Sequence, residues 1–288
     1  MTGPDPEELL ALADAAAAAA AALLAAEGAQ QRPDVVQTKS SLTDVVTEMD
    51  RRAEALITER IRAARPDDAI LGEEGGETRG PGHGPASAGG PAVRWIVDPL
   101  DGTVNYLYGL ADWSVSIAAE VAGTIVAGAV AIPLRGETYL AARGRGATVR
   151  AATGQTTAAG RTPALRCNRD VPLAQALVGT GFGYLPGRRQ IQGAVVGALL
   201  PRIRDIRRGG SASVDLCSVA AGRLDAFYER GLNYWDYAAG ALIAEEAGAR
   251  VTGLGGRPAG PSFTVVAAPG LHEELAGALT ALDPERDA

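Results

Sequence analysis

The sequence predicts a mixed α/β (α+β) fold whose first half carries an antiparallel sheet and whose second half alternates strands with helices. Three observations predict it. Two stretches before Pro66 have helical composition or periodicity, residues 93–142 hold successive apolar runs divided by Gly and Pro, and beyond about residue 151 short apolar runs alternate with helical patterns.

Residues 15–26 are nearly pure Ala and Leu, which favours a helix on propensity alone. Glu7, Glu8 and Asp14 precede the run and no basic region does. It is shorter than the roughly 20 apolar residues that span a bilayer, so neither a signal nor a membrane segment is expected. Leu42, Val45, Val46, Met49, Ala53, Leu56, Ile57 and Ile61 recur at three- and four-residue steps and predict an amphipathic helix ending before Pro66. A short strand over 69–71 leads into Gly72-Glu73-Glu74, and the Gly/Pro/Ala/Ser-rich residues 75–91 read as a surface loop. Strands over 93–97, 114–121, 124–132 and 138–142 form the meander. In the second half, strands near 176–180, 205–208 and 224–229 alternate with helices near 189–200, 213–221 and 235–247, followed by two more strands and a last helix. The chain thus divides at 1–150 and 151–288, the first part holding most candidate metal ligands.

Composition narrows the chemistry. A chain of 288 residues, 47% hydrophobic, can bury a substantial core, and a formal charge of -7 leaves little for binding nucleic acid through counterion release. An anionic substrate would need help, which divalent cations held by carboxylates can give. Cys167 and Cys217 match no disulfide or zinc spacing and suit a reducing, cytoplasmic compartment. With only His83, in the Gly/Pro-rich stretch, and His272, near the last helix, phosphohistidine chemistry is poorly supported.

The strongest motif is Trp95-Ile96-Val97-Asp98-Pro99-Leu100-Asp101-Gly102-Thr103-Val104-Asn105. A hydrophobic strand delivers Asp98 and Asp101 at its end, Pro99 stiffens the turn, and the Leu100 carbonyl adds an oxygen donor of the kind hard cations prefer. Gly102 and Thr103 would open a short helix whose free N–H groups can hold a phosphate oxygen. Glu73, straight after a strand, can join the same cations and is favoured over Glu74, since neighbours face opposite ways. Asp236 follows Trp235 near the first turn of a helix, and Ala238, Ala239 and Gly240 there suggest close approach of another backbone. Upstream, Asp44, Thr47 and Asp50 share a helical face by spacing; Asp50 can orient the Thr103 hydroxyl, and Lys39 can sit near the anion. Alone, each of these has a plain structural explanation, such as a solvated face or a capping Asp.

Together these residues closely resemble the inositol monophosphatase family, lithium-sensitive and magnesium-dependent phosphatases, from Lys39 to the last helix. The residues at 95–105 and Trp235-Asp236-Tyr237-Ala238-Ala239-Gly240 carry the resemblance. The residues at 44–50, 72–74, 210–217 and 225–229 extend it, toward bacterial inositol-1-phosphatases of the SuhB type. The resemblance implies a layered α-β-α-β-α sandwich, commonly a homodimer. It implies two to three Mg2+ ions: one on Glu73, Asp98 and the Leu100 carbonyl, a second on Asp98, Asp101 and Asp236, and a weaker third near Glu73, with a water on the ions as nucleophile. Thr103, backed by Asp50, and Glu73 would activate that water, and the Gly102 and Thr103 amides would hold phosphate. Ser211, Ala212, Glu229 and Asp236 would face a polyol. Inositol 1-phosphate is the expected substrate, with histidinol phosphate as rival; no basic cluster suited to a second phosphate is evident, which disfavours a bisphosphate or nucleotide. From another class, some SuhB-type relatives bind transcription machinery. Lithium, displacing a weakly held Mg2+, should inhibit.

Overall fold

The computed structural model describes residues 3–28, 35–38, 45–80, 92–151 and 164–286. Its elements run α1 (Pro6–Gly28), β1 (Val35–Thr38), β2 (Val45–Thr47), α2 (Glu48–Ala64), β3 (Ala69–Gly72), β4 (Gly76–Thr78), β5 (Val93–Asp101), α3 (Thr103–Leu107), β6 (Ser114–Val121), β7 (Thr124–Ile132), β8 (Glu137–Ala142) and β9 (Ala147–Ala151). They continue with β10 (Leu177–Thr180), α4 (Pro186–Leu199), β11 (Asp205–Arg207), α5 (Ala212–Ala220), β12 (Ala226–Glu229), α6 (Tyr234–Glu246), β13 (Arg250–Thr252), β14 (Thr264–Ala267) and α7 (Pro269–Thr280).

Strands β4-β3-β5-β6-β7-β8-β9 form one sheet and β11-β10-β12-β14-β13 a second, with β1 and β2 a separate antiparallel pair. The larger sheet is antiparallel except where β3 runs parallel to β5. In the smaller sheet β10 is parallel to both β11 and β12.

Burial explains the layering. Helix α1 packs Ala13, Ala16, Ala17, Ala20 and Leu24 with α2 against Trp95, Ile117 and Ala129 of the large sheet, small side chains permitting close approach. On the other face of that sheet Val214, Cys217, Ala239 and Ile243 of α5 and α6 meet Ile96, Val130 and Tyr139. The same two helices turn Leu216, Val219 and Ala244 toward Phe227 and Val266 of the small sheet. Helices α4 and α7 cover its far face through Ile191, Leu199, Leu271 and Leu275. The order α-β-α-β-α is therefore the expected sandwich. A Cβ on Gly128 would lie 3.1 Å from the Ala239 Cα, so β7 and α6 touch backbone to backbone where the small residues after Asp236 suggested such an approach.

Some boundaries differ from the sequence expectation. The helix predicted from Leu42 begins only at Glu48, because Val45–Thr47 pairs with β1 and Thr47 caps α2. The face shared by Asp44, Thr47 and Asp50 is thus not helical throughout; Asp44 and Lys39 lie outside the described residues. Gly76–Thr78, expected as loop, adds an edge strand to β3, and β9 extends the meander. By length and composition α1, at 23 residues, can cross a membrane, yet its Leu9-to-Leu24 face is buried in the fold. Cys167 and Cys217 are buried and free.

Candidate active site

The parallel pairing of β3 with β5 sets Gly72 opposite Val97, so β3 ends where β5 reaches Asp98, and the Glu73 N–H donates to the Val97 carbonyl at 3.2 Å. Glu73 thereby stands beside Asp98. In an unbroken strand, residues three apart face opposite sides. Here the β5–β6 register shifts between Asp98 and Asp101, with Pro99 supplying no N–H for the ladder. That bulge puts Asp98, Leu100 and Asp101 on one cavity. Asp98 Oδ1 accepts from the Leu100 N–H at 3.0 Å, tightening the turn.

Gly102 follows with φ +93°, and a Cβ there would stand 3.0 Å from the Asp112 carbonyl oxygen and 3.2 Å from the Ser211 Cβ. Only glycine fits comfortably. Thr103 begins α3, and its hydroxyl lies 3.2 Å from Asp50 Oδ1 and 3.1 Å from the Leu100 carbonyl oxygen. Asp50 is buried one layer behind the cavity, at the third helical position of α2, where its Oδ2 accepts from the Thr47 N–H at 2.8 Å and hydroxyl at 2.5 Å.

The second sheet and its helices close the far side. Asp236 occupies the third position of α6 and accepts from the Asn233 N–H at 2.7 Å, a capping bond that leaves its other oxygen uncommitted to the helix. Glu229 ends β12, and Ser211 caps α5. The cavity, about 410 Å³, is lined by Glu73, Asp98, Leu100, Asp101, Gly102, Thr103, Ser211, Ala212, Glu229 and Asp236 among others. Glu74 instead lines a separate groove beside α2.

Electrostatics follows from this crowding. Burial, then the charges of Glu73, Asp101 and Asp236, pushes Asp98 well above the usual carboxylate range. Asp236 is raised well for the same reason, by burial and then by Asp101 and Glu73. Asp101 is raised by burial although Ser211 and Ser213 oppose the shift: the two hydroxyls and the Ser213 N–H donate to its Oδ2 at 2.7, 2.5 and 2.7 Å. Glu229 is pushed up to about 8 by burial, then Asp215, against Arg208. Carboxylates driven toward their neutral forms by burial and then by one another, with a backbone carbonyl among them, form an all-oxygen donor set suited to hard divalent cations. Among the described residues, no three acidic, His or Cys side chains close around a single point as a ready-made cage.

Sequence reasoning missed several groups. Ser213, inside a motif already singled out, anchors Asp101; Ser211 spends its hydroxyl proton on the same carboxylate and accepts from the Val214 N–H at 3.3 Å. Asp215, its carboxyl pushed up to about 8 by burial and then by Asp101 and Asp112, also lines the cavity. The sequence led to the expectation of no basic cluster suited to a second phosphate; in the structure Arg188 of α4, Arg208 just after β11 and Arg230 just after β12 all line the cavity. In the sequence Arg188 and Arg208 each stand beside another arginine, at 188–189 and 207–208, but only the fold sets them on one cavity with Arg230.

Comparison with known proteins agrees with this architecture. A model of the Inositol monophosphatase family matches residues 5–283. The chain is 48% identical over 245 residues to Inositol-1-monophosphatase SuhB of Mycobacterium tuberculosis (strain ATCC 25618 / H37Rv), covering 85% of this chain and 81% of that one. It is 38% identical over 256 residues to Nus factor SuhB of Pasteurella multocida, covering 87% and 88%. The solved structure of Mycobacterium tuberculosis SuhB matches with a TM-score of 0.79 and 40% identity, over 98% of this chain and 99% of that chain.

Proposed function

This chain belongs to the inositol monophosphatase family and is a phosphoric monoester hydrolase, and on that premise we propose that it hydrolyses inositol 1-phosphate to inositol and phosphate with Mg2+ as cofactor. The observation that carries the reading is the single cavity in which the bulged end of β5, the end of β3 and the start of α6 converge their carboxylates beside Glu229.

Glu73, Asp98 and the Leu100 carbonyl would hold one ion, Asp98, Asp101 and Asp236 a second, and Glu73 a third. Bound Mg2+ supplies a lowered water pKa and neutralises charge on phosphoryl oxygens. The protein does the rest. Thr103, its hydroxyl held between Asp50 and the Leu100 carbonyl, orients the attacking water, and Glu73 takes its proton. The Gly102 and Thr103 N–H groups hold a phosphate oxygen. Ser211 and Ser213 fix the rotamer of Asp101. Glu229, Ala212 and the free oxygen of Asp236 face the polyol, where a carboxylate can accept from two neighbouring hydroxyls.

The test is a panel of inositol 1-phosphate, histidinol phosphate, fructose 1,6-bisphosphate and 3′-phosphoadenosine 5′-phosphate, compared by kcat/KM with and without Mg2+. A clear preference for the first is expected. Equal or better turnover of histidinol phosphate, whose ammonium also suits Glu229, would sink the substrate assignment; preference for a doubly phosphorylated compound would assign Arg188, Arg208 and Arg230 to a second phosphate.

A second reading is favoured by the name of the Pasteurella relative: we propose that this chain also acts as a Nus factor. An Asp98→Asn variant that loses turnover yet retains a transcription phenotype would support that role independently of catalysis.

A further inference from the structure

Helix α2 carries two buried carboxylates four residues apart, Asp50 and Glu54, on one face and separated by about 6 Å of helix rise. Asp50 reaches Thr103. Glu54 reaches the turn that bears Glu73: its Oε2 accepts from the Glu74 N–H at 2.8 Å and its Oε1 from the Gly75 N–H at 2.7 Å. Each oxygen thus holds one amide of the turn that follows Glu73. The flanking glycines make room for it, since a Cβ on Gly72 would stand 2.5 Å from Glu54 Oε2 and one on Gly75 2.7 Å from Oε1. The turn is held from its other side by the Glu73 N–H bond to the Val97 carbonyl.

Resting on the reading of the site given above, we propose that Glu54 is a positioning residue: by clamping the Glu74 and Gly75 amides it aims the Glu73 carboxylate at the cations shared with Asp98. The two-oxygen grip matters because a single bond would let the turn pivot, and Glu73 is the one carboxylate ligand that stands on a turn rather than on a strand end or in a helix. A ligand left free to pivot must be ordered again each time a cation binds, which lowers affinity without touching the other ligands. Removing a group that orients a metal ligand costs about 10- to 100-fold in metal affinity.

The experiment measures Mg2+ binding by calorimetry on the full chain and its Glu54→Gln, Glu54→Ala, Gly75→Ala and Glu59→Gln variants, with hydrogen exchange at residues 72–76. Glu54→Gln keeps one acceptor oxygen and Gly75→Ala pushes on the clamp from the other side, so at least one reports even where Glu54→Ala fails to fold. Weaker Mg2+ binding by about tenfold or more is expected for the clamp variants, with faster exchange at the Glu74 and Gly75 amides. At saturating Mg2+ their KM for the phosphate ester should stay near that of the parent. Glu59→Gln, exposed on the same helix, should change nothing. Parent-like Mg2+ binding by a folded clamp variant, accompanied only by a lower melting temperature, would make Glu54 merely structural and overturn the proposal. A parent protein that binds no Mg2+ overturns the reading of the site itself, and this proposal with it.

Discussion

The Thr103 hydroxyl lies 3.2 Å from Oδ1 of Asp50, joining the first residue of a one-turn helix to the capping carboxylate of α2, 53 positions earlier. Asp50 therefore serves two helices at once. Its Oδ2 closes the start of α2 on Thr47, while its Oδ1 fixes a hydroxyl that faces the cavity.

Thr103→Ala should lower kcat by about 10²-fold, the scale of loss when a reacting group is no longer held in position, with KM little changed. Thr103→Ser should keep most of the rate. Asp50→Asn added to Thr103→Ala should cost little more than Thr103→Ala alone, because both act through one hydroxyl. Additive losses in steady-state kinetics would show that Asp50 acts elsewhere.

Asp98→Asn removes an acid that burial, and then the charges of Glu73, Asp101 and Asp236, push well above its ordinary pKa. The metal-free variant should melt higher than the parent at neutral pH while losing essentially all turnover. Mg2+ at about 100 times its dissociation constant adds about 2.7 kcal/mol to a protein that binds it, or about 4–5 °C for a domain of this size. Differential scanning calorimetry should find that increment in the parent and not in the variant.

Asp215 gives a pH signature with a definite sign. Its folded-state pKa of about 8 lies above the ordinary 3.8, so the folded protein binds the proton more tightly than the unfolded chain does. Stability from this group is complete below about pH 4 and lost progressively as pH rises toward 8. Asp215→Asn should therefore stabilise the metal-free protein increasingly from pH 4 to 8. A melting-temperature difference that is flat across that range would contradict the assignment.

His272 works in the opposite direction. It is buried in α7 with Nε2 3.0 Å from the Thr252 hydroxyl, and burial, then Arg250, lowers its pKa below the ordinary 6.5. The unfolded chain takes up the proton more readily, so the histidine's contribution is present above pH 6.5 and lost as pH falls. In urea titrations, His272→Gln should flatten that acid limb without altering the slope between pH 7 and 8.

The meander and most helices were legible because local physics dictates them. Alternating and periodic apolar residues fix which face is buried, as at Ile57 and Ile61 of α2, and glycine or proline marks where each run ends. The start of α2 was not, because Val45 and Val46 fit a helical period and a strand equally well until β1 is available to pair. The short β4 stayed hidden in a glycine-rich stretch for the same reason: an edge strand exists only by virtue of the neighbour that holds it.

What the sequence by itself determined is the chemistry: carboxylates at the ends of hydrophobic segments, an oxygen-rich turn at Asp98 to Asp101, and an acid opening a small-residue helix. Those features are short-range, so spacing alone displays them. Only the tertiary structure decided what stands around that chemistry. Arg188, Arg208 and Arg230, the Ser213 anchor of Asp101, Asp215 beside Glu229, and the grip of Glu54 on the Glu73 turn all join residues distant in the chain. The physical reason is that a donor or charge acquires its role from its partner, and those partners meet only when the two sheets close on the helices between them.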